Sequence, residues 1–181
     1  VDFLHRVAGL GRGVDDREIE LQVGGVEFDE EVEDHVEHLV RAGVFTVGAD
    51  ASCSAPDLAI ALLLSAANGS GHDEIHLTAD QVGNFSIHSQ SVSIVGGYAT
   101  CAAVSPTTIS VISGPGTGRV FMIYGATSAL LVELVNLDVT GGVALFGGGL
   151  YILDQFVVAL DNTWVYSNQA DSGGAGSGGG I

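Results

Sequence analysis

Four side chains in the second half of the chain could do acid–base chemistry: Asp138, Asp154, Asp161 and Arg119. Two carboxylates held roughly 5–9.5 Å apart can cleave a glycosidic bond, one as acid and one as nucleophile or base. A lyase would need grouped carboxylates, or a calcium site with an Arg or Lys base. Asp138 and Asp161 lie near each other in a sequence repeat but out of register, because Asp138 aligns with Trp164. Solvated turn acids are therefore the expectation, and no catalytic residue is assigned. Tyr151, Trp164 and Tyr166 can form a sugar-stacking strip if they point outward; otherwise they pack at strand edges. His35-x-x-His38 with Glu31 or Asp34 has the residue types of a metal site. The helical zinc signature, however, places its histidines four apart around a Glu. Calcium at Asp171 or at Asp161-Asn162 would want a nonapeptide repeat with its regular Asp, which is absent. No metal and no cofactor are expected.

Cys53 and Cys101 are the only cysteines, 48 residues apart. In an exported chain an even count suggests a bridge, here joining a cap to the first strands. The alternative is two buried thiols. A catalytic thiol has no support, since no His with an orienting partner stands near either Cys in sequence.

The elements that would position these groups are short strands. Residues 131–142 and 157–168 share a pattern at an offset of 26: Val132 falls on Val158, Leu134 on Leu160, Asn136 on Asn162 and Val139 on Val165. Glycine clusters at 147–149 and 178–180 follow at an offset of 31. Repeated strands with insertions confined to turns mark a solenoid. Over residues 79–181 two-residue Asn-Gly and Asp-Gly hairpin turns are missing, which favours parallel strands. Asn136 and Asn162 then form an asparagine ladder, each amide bonding its neighbour.

Strands are expected over 73–77, 85–88, 91–95, 108–113, 119–124, 129–137, 150–153 and 156–165. Ahead of them, Ser54-Ala55-Pro56-Asp57 reads as a capping box opening a helix over 54–68, closed by Asn68-Gly69. Its residues, Leu58 to Ala67, are almost wholly apolar, so the helix is expected to be buried across the open first level of the stack.

Composition changes abruptly near residue 42. Residues 1–45 form an acidic segment, helical or disordered, holding twelve of the 22 acids; residues 29–44 carry Val32, Val36, Leu39 and Val40 at helical spacing. Its Glu-dense face is expected to be solvated. Residues 46–181 form the strand domain. The net charge is −17, and Arg119 alone faces ten acids after residue 41. Such a chain repels phosphate, so nucleic acid and anionic lipid are poor partners. The longest apolar run, Leu58–Ala67, is well short of the ~18 residues of a membrane span. No signal peptide is visible, and the pattern stops at Gly180-Ile181 in mid-repeat, so further levels are expected after Ile181.

Ser52-Cys53, then residues 57–62, Asn68-Gly69, Asp73-Glu74-Ile75, and Val95-Gly96-Gly97-Tyr98 with Cys101 resemble the opening of bacterial right-handed parallel β-helix surface proteins. Ser167-Asn168-Gln169-Ala170 with Gly178-Gly179-Gly180-Ile181 is similar to the repeat of polymorphic outer membrane proteins. That repeat pairs an aromatic-x-x-Asn motif with Gly-Gly-Ala-Ile. Here Val165 stands at the aromatic position and Gly180 at the Ala. The resemblance implies an all-β, right-handed parallel β-helix with a short N-terminal capping helix. It also implies an extracellular or outer-membrane location and a non-catalytic adhesin or passenger role. The partner would be a host or matrix glycan or protein. The alternative on the same fold is a polysaccharide-active lyase or hydrolase.

Overall fold

The computed structural model describes residues 42–69, 71–170 and 179–180. Within them lie fourteen strands and one helix. They are β1 (Val44–Val47), α1 (Leu58–Ala67), β2 (His72–Leu77), β3 (Gln81–Val82), β4 (Phe85–His88), β5 (Ser91–Val95), β6 (Ser110–Ser113) and β7 (Phe121–Tyr124). There follow β8 (Leu130–Val135), β9 (Leu137–Thr140), β10 (Val143–Ala144), β11 (Leu150–Ile152), β12 (Phe156–Asp161), β13 (Trp164–Val165) and β14 (Gln169–Ala170). Most of the acidic segment, with His35 and His38, lies outside the described residues. Of the expected helix over 29–44 only the end is described, and there Val44 opens a strand instead.

Every pairing between these strands is parallel. The sheets run β1-β2-β5-β8-β12, β13-β9-β6-β3, β11-β7-β4 and β10-β14. From β2 the chain visits the five-, four- and three-stranded sheets in that order, as β2-β3-β4, β5-β6-β7 and β8-β9-β11. It then returns to the first two as β12 and β13. Parallel neighbours require such a crossover, because a tight hairpin joins only antiparallel strands.

The corners explain why two long expected strands break. Residues 129–137 and 156–165 are each divided at an Asn in the left-handed region, Asn136 at φ 53° and Asn162 at φ 44°. Asn tolerates that conformation better than most residues because its short polar side chain can bond locally. Gly97 turns the chain between β5 and β6, at φ +87°, where a Cβ would lie 1.9 Å from the Thr108 carbonyl oxygen. Only glycine fits there.

Alternation in the strands sends one set of side chains inward, where register stacks them. Ile75, Ile94 and Leu134 form one column, Val92 and Val132 a second, Ile87 and Ile123 a third, and Ile112 and Val139 a fourth. All of these are fully buried. Each such side chain contributes about 1.5–3 kcal/mol of hydrophobic stabilisation. Leu160 continues the first column but is 41% exposed, because among the described residues β12 has a neighbour on one side only.

The helix begins later than the sequence suggested. Its N-cap is Asp57, whose Oδ1 accepts from the Ile60 N–H at 2.9 Å. Ser54 instead pairs with β1: its N–H donates to Thr46 Oγ1 at 3.0 Å, and its Oγ accepts from the Thr46 N–H at 3.2 Å. Asn68 caps the C-terminus, followed by Gly69 at φ 108°, as the Asn-Gly stop implied. Burial is one-sided: Leu58, Ala61, Leu62 and Ser65 face inward, while Ile60, Leu63 and Leu64 are exposed.

Two devices fasten the helix end. The buried Asp73 carboxylate of β2 accepts from Ser65 Oγ (2.8 Å), Asn68 Nδ2 (2.9 Å) and the Gly43 N–H (2.6 Å). A charge can stay buried only with such partners. Cys53 and Cys101 form a disulfide, joining the segment before α1 to the segment after β5. Among the described residues no helix is long and apolar enough to cross a membrane.

Candidate functional site

The densest group of chemically capable side chains lies on the outward face of the five-stranded sheet. β2 alternates, burying Asp73, Ile75 and Leu77 and turning His72, Glu74 and His76 away from the core. Register sets Glu74 beside Ser93 and Ser93 beside Glu133, and sets His72 beside Ser91. The outcome is a polar row across three strands, β2, β5 and β8.

Ser93 Oγ donates to Glu133 Oε2 at 2.5 Å and lies 2.7 Å from His72 Nε2. With the hydroxyl proton committed to the carboxylate, His72 must donate. Glu133 Oε2 also lies 3.3 Å from His72 Nε2. The carboxylate thus meets the same ring nitrogen that faces the serine. A nucleophile relay needs the base to accept from the hydroxyl and the third group to hold the ring's other nitrogen. This trio is a hydrogen-bonded cluster without that polarity.

Beside it, Glu74 Oε1 meets His76 Nε2 at 2.5 Å, and the Tyr98 hydroxyl lies 3.1 Å from that nitrogen. The Tyr98 ring stacks on His76 with centroids 4.0 Å apart. Burial, reinforced by the Glu74 charge, pushes the Tyr98 hydroxyl above its ordinary value. Two carboxylates, two imidazoles and two hydroxyls therefore lie together on this face. Such a surface can exchange hydrogen bonds with a polyhydroxylated ligand. Among the described residues no group of three His, Cys, Asp or Glu side chains is arranged to hold a metal ion.

The residues singled out from sequence are dispersed. Asn162 Nδ2 donates to Asn136 Oδ1 at 2.8 Å, so the asparagine ladder forms across the β8–β12 corner. Trp164 pairs in register with Asp138, and both Trp164 and Tyr166 are exposed. Tyr151 belongs to a different sheet, in register with Met122, and is covered by the Arg119 guanidinium 4.1 Å from its ring centroid. Tyr151 and Trp164 therefore lie in two different sheets, with Tyr166 just after β13.

Arg119 Nε also donates to the Phe146 carbonyl at 3.0 Å, so this cation is committed to structure. Asp154, at φ 66°, accepts from the Gly125 N–H at 2.6 Å and serves its turn. Asp138 lies in β9 and Asp161 at the end of β12, in different sheets. Asp171 lies outside the described residues. The grouped residues His72, Glu74, His76, Ser93, Tyr98 and Glu133 were not singled out in sequence. Their readable signal was the alternation in His72-x-Glu74-x-His76 and Ser91-x-Ser93. No protein-family model, no curated protein and no solved structure matches the chain.

Proposed function

We propose that residues 46–181 belong to an exported right-handed parallel β-helix of the bacterial surface type, with a repeat like that of polymorphic outer membrane proteins. It works as a non-catalytic adhesin or passenger-type scaffold. The observation that carries this reading is the repeated visit to the same three sheets in the same order, with every strand pair parallel. Right-handedness follows from the strong chiral preference of parallel crossovers, about 98%. The Cys53–Cys101 bridge supports an oxidising, extracellular setting. The charge of −17 argues against nucleic acid as partner and leaves a host or matrix glycan or protein.

A glycan array tests the adhesin role. Specific binding that falls in Ser93→Ala or Trp164→Ala supports it, and absence of any glycan or matrix-protein binding on broad arrays rejects it. One observation favours a polysaccharide-cleaving role as the second reading. Glu74 and Glu133 lie two strands apart on one face, which puts their Cα atoms roughly 9.5–10 Å apart. Release of reducing ends from a polysaccharide, abolished in Glu133→Gln, would replace the non-catalytic reading.

A further inference from the structure

The four-stranded sheet has its own outward face, and its chemistry differs from that of the polar row. β9 buries Leu137 and Val139 and turns Asp138 and Thr140 outward. Register sets Trp164 beside Asp138. The Tyr166 N–H donates to the Val139 carbonyl (3.1 Å), which keeps Tyr166 in step with Thr140 just past the end of β13. Trp164 is 63% exposed and Tyr166 46%. Their Cα atoms stand two residues apart along one strand, roughly 6.4–6.8 Å. The Tyr166 hydroxyl reaches back to Asp138 Oδ2, at 3.5 Å. Two exposed rings therefore border one carboxylate.

That carboxylate is nearly unused. Its Oδ1 is buried with no hydrogen-bond partner. The Tyr166 contact to Oδ2 is long for an O–H···O bond, whose usual length is about 2.7–2.8 Å. An ionised carboxylate offers about four acceptor sites, and buried acceptors are seldom left unpaired. Water is already excluded from one side of the group, so a hydroxyl brought to Oδ2 gains more than at a fully hydrated acid. Arg119 is the only Lys or Arg among the described residues, and it covers Tyr151 in another sheet.

We propose, resting on the glycan-binding reading above, that Trp164, Tyr166 and Asp138 bind a neutral pyranose sugar. A pyranose has an apolar C–H face and hydroxyls around its edge. The C–H face lies on the Trp164 ring, and an edge hydroxyl donates to Asp138 Oδ2. The Tyr166 hydroxyl bonds a second edge hydroxyl. Sugars carrying carboxylate or sulfate are disfavoured, because this face holds no cation to pair with them and the chain carries a charge of −17.

Trp164 is the only tryptophan, so the indole emission of the full chain reports this position alone. The probes are cello-, galacto- and chito-oligosaccharides, with oligogalacturonate as the acidic control. The expected result is a saturable change in emission with at least one neutral probe, Kd at or below about 1 mM, and at least about tenfold weaker binding of the control. By calorimetry, Trp164→Ala should weaken binding at least about tenfold. Asp138→Asn should weaken it about three- to tenfold, because the amide oxygen still accepts but without charge. Tyr166→Ala stands in if Trp164→Ala unfolds the chain. No change in emission with any neutral probe at about 10 mM overturns the proposal, as does an acidic control bound as tightly as the neutral probes. A neutral sugar bound equally by Trp164→Ala overturns this site and leaves the adhesin reading standing; that reading falls only to blank glycan and matrix-protein arrays. Self-association that Trp164→Ala abolishes, without sugar binding, also overturns the proposal by making a second copy the occupant.

Discussion

Replacing Asp73 with Ala tests how α1 is held against the sheet. The carboxylate is 1% exposed and accepts from Ser65 Oγ, Asn68 Nδ2 and the Gly43 N–H. Hydrogen bonds to a charged group are worth about 1.5–3 kcal/mol each, so the gross loss is about 4.5–9 kcal/mol. Water recovers much of it at Gly43 and Asn68, which are not fully buried. Ser65 is 1% exposed, and its hydroxyl would be stranded at a cost of about 1–3 kcal/mol. The expected net loss is about 3 kcal/mol, concentrated where α1 meets β2. Asp73→Asn should cost less, since an amide oxygen still accepts from one or two of these donors. Urea unfolding followed by circular dichroism reads the global change, and native-state hydrogen exchange reads the helix amides separately. Asp73→Ala within about 1 kcal/mol of wild type would refute the clamp, because even one stranded buried hydroxyl should cost that much.

Replacing Cys53 and Cys101 with Ser together should cost about 4 kcal/mol on the chain-entropy account of a 48-residue loop, read as a lower urea midpoint. At φ 44°, Asn162→Ala should cost about 1–2 kcal/mol, while Asn162→Gly should cost less, because glycine accepts the left-handed backbone; calorimetry ranks the two. Tyr98 ionises above the ordinary phenol value of 10.0, so the stability it lends is complete below that pH. This stability is lost as pH rises from there through the folded-state value. Tyr98→Phe should flatten that alkaline decline, measured by denaturation at stepped pH.

Strand type, parallel pairing and one register were legible because the strands that pair in parallel repeat one pattern residue for residue at a fixed offset. Val132 with Val158 and Leu134 with Leu160 are pairs in the sheet as they are in the sequence offset. The N-cap was not legible, since Ser54 and Asp57 both suit that position. What separated them was β1, whose Thr46 engages Ser54. The strand boundaries at Asn136 and Asn162 depended on backbone torsion rather than on hydropathy. The polar cluster was hidden because Ser93 and Glu133 stand 40 residues apart and meet only through the pairing of β5 with β8. The aromatic strip dissolved for the converse reason: Tyr151 and Trp164 are near in sequence, yet a corner sends them to separate sheets.

The fastenings around β1 and α1 also bear on how the chain carries force. Near its beginning a covalent staple spans from Cys53 to Cys101, and the Asp73 clamp adds charge-assisted bonds. At the other margin, among the described residues, β12 pairs with β8 and β13 with β9. Tension that peels β1 from β2 would meet the clamp and then the staple, beyond the backbone ladder itself.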